Sequence, residues 1–137
     1  MISDITLELE EGLKLKPQFE KRNGLLPVAV QETATGQLLM LASVNKKALD
    51  KTLKTKMATF WSTSRNALWT KGETSGDFLS IDKILIDCDQ DALVYQVTLV
   101  GNGVCHTYDA DGKHRKACFY REVNLEENQL QFIKNMQ

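Results

Sequence analysis

The chain has 137 residues, 42% of them hydrophobic and 26% charged, and its 17 Lys+Arg against 18 Asp+Glu leave a net charge of -1. This is the length of one domain with enough apolar material for a core, which excludes a disordered chain, and the lack of basic excess argues against a nucleic-acid coat. No apolar run approaches the ~18 residues of a membrane helix, and the acidic start has no basic-then-apolar leader pattern. The expectation is a single cytoplasmic domain over 1–137, with no nucleic-acid or membrane partner.

Residues 1–24 are mixed. Leu7, Leu9, Leu13 and Leu15 alternate weakly among Glu and Lys until Pro17 and Asn23-Gly24 end the segment. Residues 25–31 read as a strand, 33–36 as a turn and 37–44 as a second strand, together a hairpin. Asn45 is placed to cap a helix over 46–56, with Leu49 and Leu53 on its buried face. Residues 57–62 read as a strand, followed by a long polar loop over 62–77 interrupted only by Ala67-Leu68-Trp69. Two β-branched strands follow at 78–87 and 92–100. A last strand is expected over 118–123, and the tail from 125 to 136 has weak helical character. The fold class is α+β, mainly antiparallel β-sheet with one helix.

Three constellations carry chemistry. Cys88, Cys105 and Cys118 all fall in the last 50 residues among ionisable neighbours, unlike the buried cysteines that fill cores. Three thiolates would leave zinc a fourth position for water, which is the catalytic pattern; a closed site completed by His106 or His114 is the structural alternative. His106 is the harder ligand, because adjacent residues on an extended chain face opposite ways, and it is better placed to act than to ligate. In Asp87-Cys88-Asp89-Gln90-Asp91 the three carboxylates share a face if the stretch is extended, and hard oxygens so placed suit Mg²⁺ or Ca²⁺. Ala92 and Thr98 stand where a calcium loop needs Gly and Glu, so that motif is excluded, and a solvated acidic turn is the alternative. On the same alternation Cys88 faces away from the carboxylates, which separates a hard-ion site from a soft-ion site. Finally, 60–76 offers Arg65, Lys71, Ser75 and glycine-freed N–H groups to phosphate, with Trp61 and Trp69 as either core or stacking surface.

In this order the motifs resemble the phosphoribosyl-AMP cyclohydrolase family of histidine biosynthesis, over about 23–121. The resemblance rests on Gly24-Leu25-Leu26-Pro27-Val28-Ala29-Val30-Gln31, Leu39-Met40-Leu41-Ala42, Phe60-Trp61-Ser62-Thr63-Ser64-Arg65 and Leu68-Trp69-Thr70-Lys71-Gly72-Glu73-Thr74-Ser75-Gly76. It continues through Asp87-Cys88-Asp89-Gln90-Asp91, Cys105-His106-Thr107 and Cys118-Phe119-Tyr120-Arg121. It implies an intertwined homodimer with zinc held by Cys88, Cys105 and Cys118 drawn from both subunits, and Mg²⁺ on Asp87, Asp89 and Asp91. The implied reaction is hydrolytic opening of the purine ring of N1-(5-phosphoribosyl)-AMP at the C6–N1 bond. His106 would be the general acid or base, with Arg65, Lys71, Glu73 and Ser75 against the nucleotide substrate.

Two departures stand out. Thr63 occupies a position where the family generally has Arg, and 108–114 is longer than the family's usual connection by six residues. Asp111-Gly112 is a hairpin-turn dipeptide, so the insert is expected to leave and return at one point, letting Cys105 and Cys118 converge. The length suits the monofunctional form, without the pyrophosphohydrolase domain that some relatives carry. Competing readings are a zinc-stabilised RNA- or protein-binding module and a zinc nucleobase deaminase, whose H-x-E…P-C-x-x-C signature is absent.

Overall fold

The computed structural model describes residues 3–137. Alternation along β1 (Leu26–Glu32) buries Leu26, Val28 and Val30 completely. β2 (Leu38–Val44) returns antiparallel to it, Leu26 opposite Val44 and Val30 opposite Met40, which is the expected hairpin. β5 (Leu79–Ile86) and β6 (Leu93–Leu99) form a second antiparallel hairpin, Leu79 opposite Leu99 and Ile86 opposite Leu93. β6 then pairs in parallel with β1, so the sheet runs β2-β1-β6-β5 and is mixed rather than antiparallel throughout.

One face of this sheet is covered by α2 (Lys46–Thr55) and by the separate hairpin of β3 (Thr59–Ser62) and β4 (Ala67–Thr70). Asn45 caps α2 as expected, its side chain accepting the Ala48 N–H at 2.9 Å, and the helix turns off at Lys56 in the left-handed region. Phe60 lies 5.1 Å from Trp69 and 5.9 Å from Tyr95 between ring centroids, which makes Trp69 a core residue. The other face carries an apolar row running Leu41, Ala29, Val94, Leu85 in register across all four strands; Leu41 is 62% exposed and Leu85 45%.

The structure corrects four readings. A second helix, α1 (Asp4–Glu11), is capped by Ser3 and buries none of its residues, so no apolar stripe announced it. Within 62–77, Ala67–Thr70 is strand β4, reached by a tight turn with Asn66 at φ 52. The tail is not helical: β7 (Arg121–Asn124) and β8 (Gln129–Phe132) form a hairpin. Asn124 starts its turn by accepting the N–H groups of Glu126 and Glu127. The strand expected over 118–123 accordingly begins only at Arg121.

The insert behaves as its turn dipeptide predicts. Tyr108 bridges antiparallel to His114, Asp109 accepts the N–H groups of Asp111 and Lys113, and Gly112 takes φ +77. Among the described residues no helix is long and apolar enough to cross a membrane.

Candidate functional site

The β5–β6 hairpin carries chemistry at both ends. At one end, 87–91 is a turn and not an extended stretch, with Gln90 at φ 55. The carboxylates of Asp87, Asp89 and Asp91 therefore converge by chain reversal, not by strand alternation, and their oxygens lie within 4.8 Å of one another. Asp87 Oδ1 accepts the N–H groups of Asp91 (2.8 Å) and Ala92 (3.1 Å). Asp89 and Asp91 instead meet Lys21, whose ammonium sits 2.8 and 2.9 Å from their Oδ2 atoms; Arg22 reaches the same Asp91 oxygen at 3.0 Å. Lys21 above all holds the Asp91 carboxyl well below the usual carboxylate range. Lost hydration pushes Asp87 up, with the neighbouring Asp91 adding to it. A bridging ammonium is a stand-in cation, and three hard oxygens fit Mg²⁺.

Gln90 turns the motif into an anchor. Its amide donates to the carbonyls of Leu9 (3.0 Å) and Lys14 (3.2 Å) and accepts the Lys16 N–H (2.8 Å), while its own carbonyl accepts the Gln18 N–H (2.7 Å). The N-terminal arm thus lies along the acidic turn, the two bordering an open groove of about 340 Å³ lined by Leu9, Leu13, Leu15, Ile86, Asp87 and Cys88. Cys88 itself is exposed.

At the other end, 104–105 runs beside 115–116. The Val104 N–H donates to the Lys116 carbonyl, and the Cys105 N–H to that of Arg115, each at 3.1 Å. The Cys118 N–H donates to the Leu39 carbonyl at the start of β2 (2.7 Å). These bonds hold the segments carrying Cys105 and Cys118 side by side, near enough for each thiol to perturb the other's pKa. Burial pushes Cys105 up, but Thr107 (Oγ1 3.0 Å from the sulfur), Cys118 and the Arg115 charge outweigh it and hold its pKa below the usual thiol value. Cys118 is pushed up to about 11 by desolvation and by the adjoining Cys105. Two neighbouring thiols are soft donors of the kind zinc takes.

Cys88 does not join them: β5 separates the two ends by about 25 Å at the usual strand rise. No histidine completes a three-donor group with the pair among the described residues. His106 is exposed beside Cys105, and His114 is stacked on Tyr108 at 4.4 Å.

The polar segment lies at this same end. The Lys71 N–H donates to the Ala58 carbonyl, and its ammonium is near enough to Cys118 to lower that thiol's pKa. Gly72 takes φ +95 and packs against the backbone of Asp77 and Phe78, where a Cβ would collide. Glu73 accepts the Thr70 N–H (3.3 Å) and Ser75 the Asp77 N–H (3.2 Å). Asp77 accepts the Asn102 N–H (3.1 Å), tying 71–77 to the chain leading into Cys105. Arg65 is exposed in the β3–β4 turn, its N–H donating to Ser62 Oγ at 3.2 Å. Thr63 shares that turn, and nothing in the structure explains its departure from Arg.

Sequence reasoning missed Lys21, Arg22 and Arg115 and saw Gln90 only as part of a motif. Lys21 and Arg22 find their carboxylates about 70 residues along the chain, so no local pattern marks them.

The chain matches the phosphoribosyl-AMP cyclohydrolase family model over residues 40–120, which takes in both ends of the hairpin. It is 46% identical to the phosphoribosyl-AMP cyclohydrolase of Hyphomonas neptunium over 114 residues, covering 83% of this chain and 81% of that one. Identity to the Desulfotalea psychrophila protein of that name is 49% over 107 residues, 77% and 80% of the two chains. The histidine biosynthesis bifunctional protein HisIE of Photobacterium profundum is 47% identical over 104 residues, 72% of this chain and 50% of that protein. The chain belongs to the phosphoribosyl-AMP cyclohydrolase family.

Proposed function

We propose that the protein is a zinc-dependent phosphoribosyl-AMP cyclohydrolase of histidine biosynthesis, opening the purine ring of N1-(5-phosphoribosyl)-AMP at the C6–N1 bond as a homodimer. The observation that carries this reading is the family match, which spans the thiol pair and the acidic turn together. Cys105 and Cys118 would hold zinc together with Cys88 of the partner subunit. Zinc, when bound there, supplies the Lewis acidity that makes water a nucleophile near neutral pH.

Everything else falls to the chain's own side chains. His106 takes a proton from the attacking water as the C6–O bond forms, and returns one to N1 as the C6–N1 bond breaks; such proton transfer is worth roughly 10²–10⁴ in rate. Arg65, Lys71 and Ser75 hold phosphate and ribose. Glu73 shapes their loop through the Thr70 N–H. The net charge of -1 provides no attracting field for an anion, so these local cations and Mg²⁺ on Asp87, Asp89 and Asp91 must neutralise the phosphates.

Two features support the dimer. Cys88 lies a strand's length from its fellow ligands, and the apolar row on the open sheet face is positioned for burial against a second copy. A binding module is disfavoured by the half-buried Trp69, whose ring packs against Phe60 at the edge of the core. The test is the ultraviolet absorbance change when N1-(5-phosphoribosyl)-AMP meets zinc-loaded protein with Mg²⁺. Loss of the purine band supports the assignment, and an unchanged spectrum overturns it.

A further inference from the structure

We propose that Lys21 is the specificity-determining residue of the acidic turn: a tethered cation that a divalent ion must displace, so that metal uptake loosens the N-terminal arm. This rests on the reading of Asp87, Asp89 and Asp91 as a magnesium site.

One oxygen of each carboxylate is already engaged. Asp87 Oδ1 is directed inward to two backbone N–H groups, and the Oδ2 atoms of Asp89 and Asp91 both contact the Lys21 ammonium. Magnesium requires oxygens at about 2.0–2.1 Å in near-octahedral order. An ammonium bound to the same two oxygens would then stand within about 4 Å of a doubly charged ion, where repulsion outweighs a half-exposed hydrogen bond. Lys21 and an ion seated on those Oδ2 atoms therefore exclude each other. Lys21 can leave readily, since its side chain is 54% exposed on a flexible stem, whereas Asp91 is 4% exposed and stays in place. A monovalent ion gains too little from the site to replace an ammonium already seated there, so exchange selects for double charge.

Displacement also has a mechanical consequence. α1 buries no residue, and the arm is attached to the turn by the Gln90 hydrogen bonds and by the Lys21 and Arg22 ion pairs. Removing the two Lys21 pairs leaves Gln90 and Arg22 as the remaining links at that turn, and residues 9–22 should open more often.

The experiment is Mg²⁺ titration by calorimetry on zinc-loaded wild type, Lys21→Met and Asp89→Asn. It is paired with hydrogen exchange of residues 9–22 with Mg²⁺ or with KCl of equal ionic strength. Exchange predicts that Lys21→Met tightens Mg²⁺ binding about tenfold, the worth of one charge-assisted hydrogen bond. It also predicts that Mg²⁺, but not KCl, speeds hydrogen exchange across 9–22 in the wild type. Equal affinities, or an arm indifferent to Mg²⁺, would overturn the exchange while leaving the site standing. Absence of Mg²⁺ binding in wild type and Lys21→Met, or retention of full affinity in Asp89→Asn, would overturn the magnesium site itself.

Discussion

Lys116 shows how a single ion pair can position a neighbouring thiol. Its ammonium lies 2.6 Å from Glu32 at the end of β1, two residues before Cys118, so it fixes the segment that presents the thiol. Lys116 first, and then the Thr35 hydroxyl, hold the Glu32 carboxyl below its ordinary value. A carboxyl depressed in the folded state contributes stability above its unfolded pKa, and loses it as pH falls through the folded value. Lys116→Met should therefore flatten the acid side of a melting-temperature profile below about pH 5, with a cost at neutral pH under about 1 kcal/mol for so exposed a pair. An unchanged profile would show that the pair contributes nothing. Cys105→Ser and Cys118→Ser should each abolish stable zinc binding by metal analysis while leaving the far-ultraviolet spectrum folded. The clustering of Asp87, Asp89 and Asp91 was legible because the three lie within one short motif, although the turn that gathers them was not. Lys21 was not, because its partner Asp89 lies 68 residues away and no local pattern announces so distant an ion pair.

At the scale of elements, legibility followed burial. α2 and the strands β1, β2, β5 and β6 bury regular faces, and their periodicity marked them. α1 buries nothing, and the β7–β8 hairpin is exposed along most of its length, so neither carries a periodic apolar signal. The parallel pairing of β1 with β6 is a tertiary choice that neither strand's own residues encode. Two substitutions probe the elements that position the site. Asn45→Ala should cost about 1 kcal/mol in denaturant unfolding by leaving the first turn of α2 without its cap. Gln90→Ala removes three side-chain hydrogen bonds to the arm and should cost about 1–2 kcal/mol, with faster hydrogen exchange confined to residues 9–18. If exchange there stays slow, the arm is held by something other than Gln90.

The whole molecule poses a problem that no single chain solves: its thiol pair and its third cysteine stand at opposite ends of one hairpin. The proposed two-fold dimer would set the Cys88 end of each hairpin against the Cys105–Cys118 end of the other, and the exposed Leu41–Leu85 row would give such a pairing an apolar surface to bury. Shared sites make a prediction that isolated sites do not. Cys88→Ser and Cys105→Ser homodimers should each be inactive, since every site lacks a ligand. Unfolding the two together, mixing equally and refolding with zinc should give half heterodimers, in which one site combines an intact Cys88 with an intact Cys105–Cys118 pair and the other lacks both. Activity should return to about a quarter of wild type, following from random pairing of protomers. Refolding either variant alone should give none, which excludes recovery by the procedure itself. If the mixture stays inactive while forming heterodimers by native mass spectrometry, the site is not shared between subunits. Cys88 would then have to reach its fellow ligands by a rearrangement within one chain.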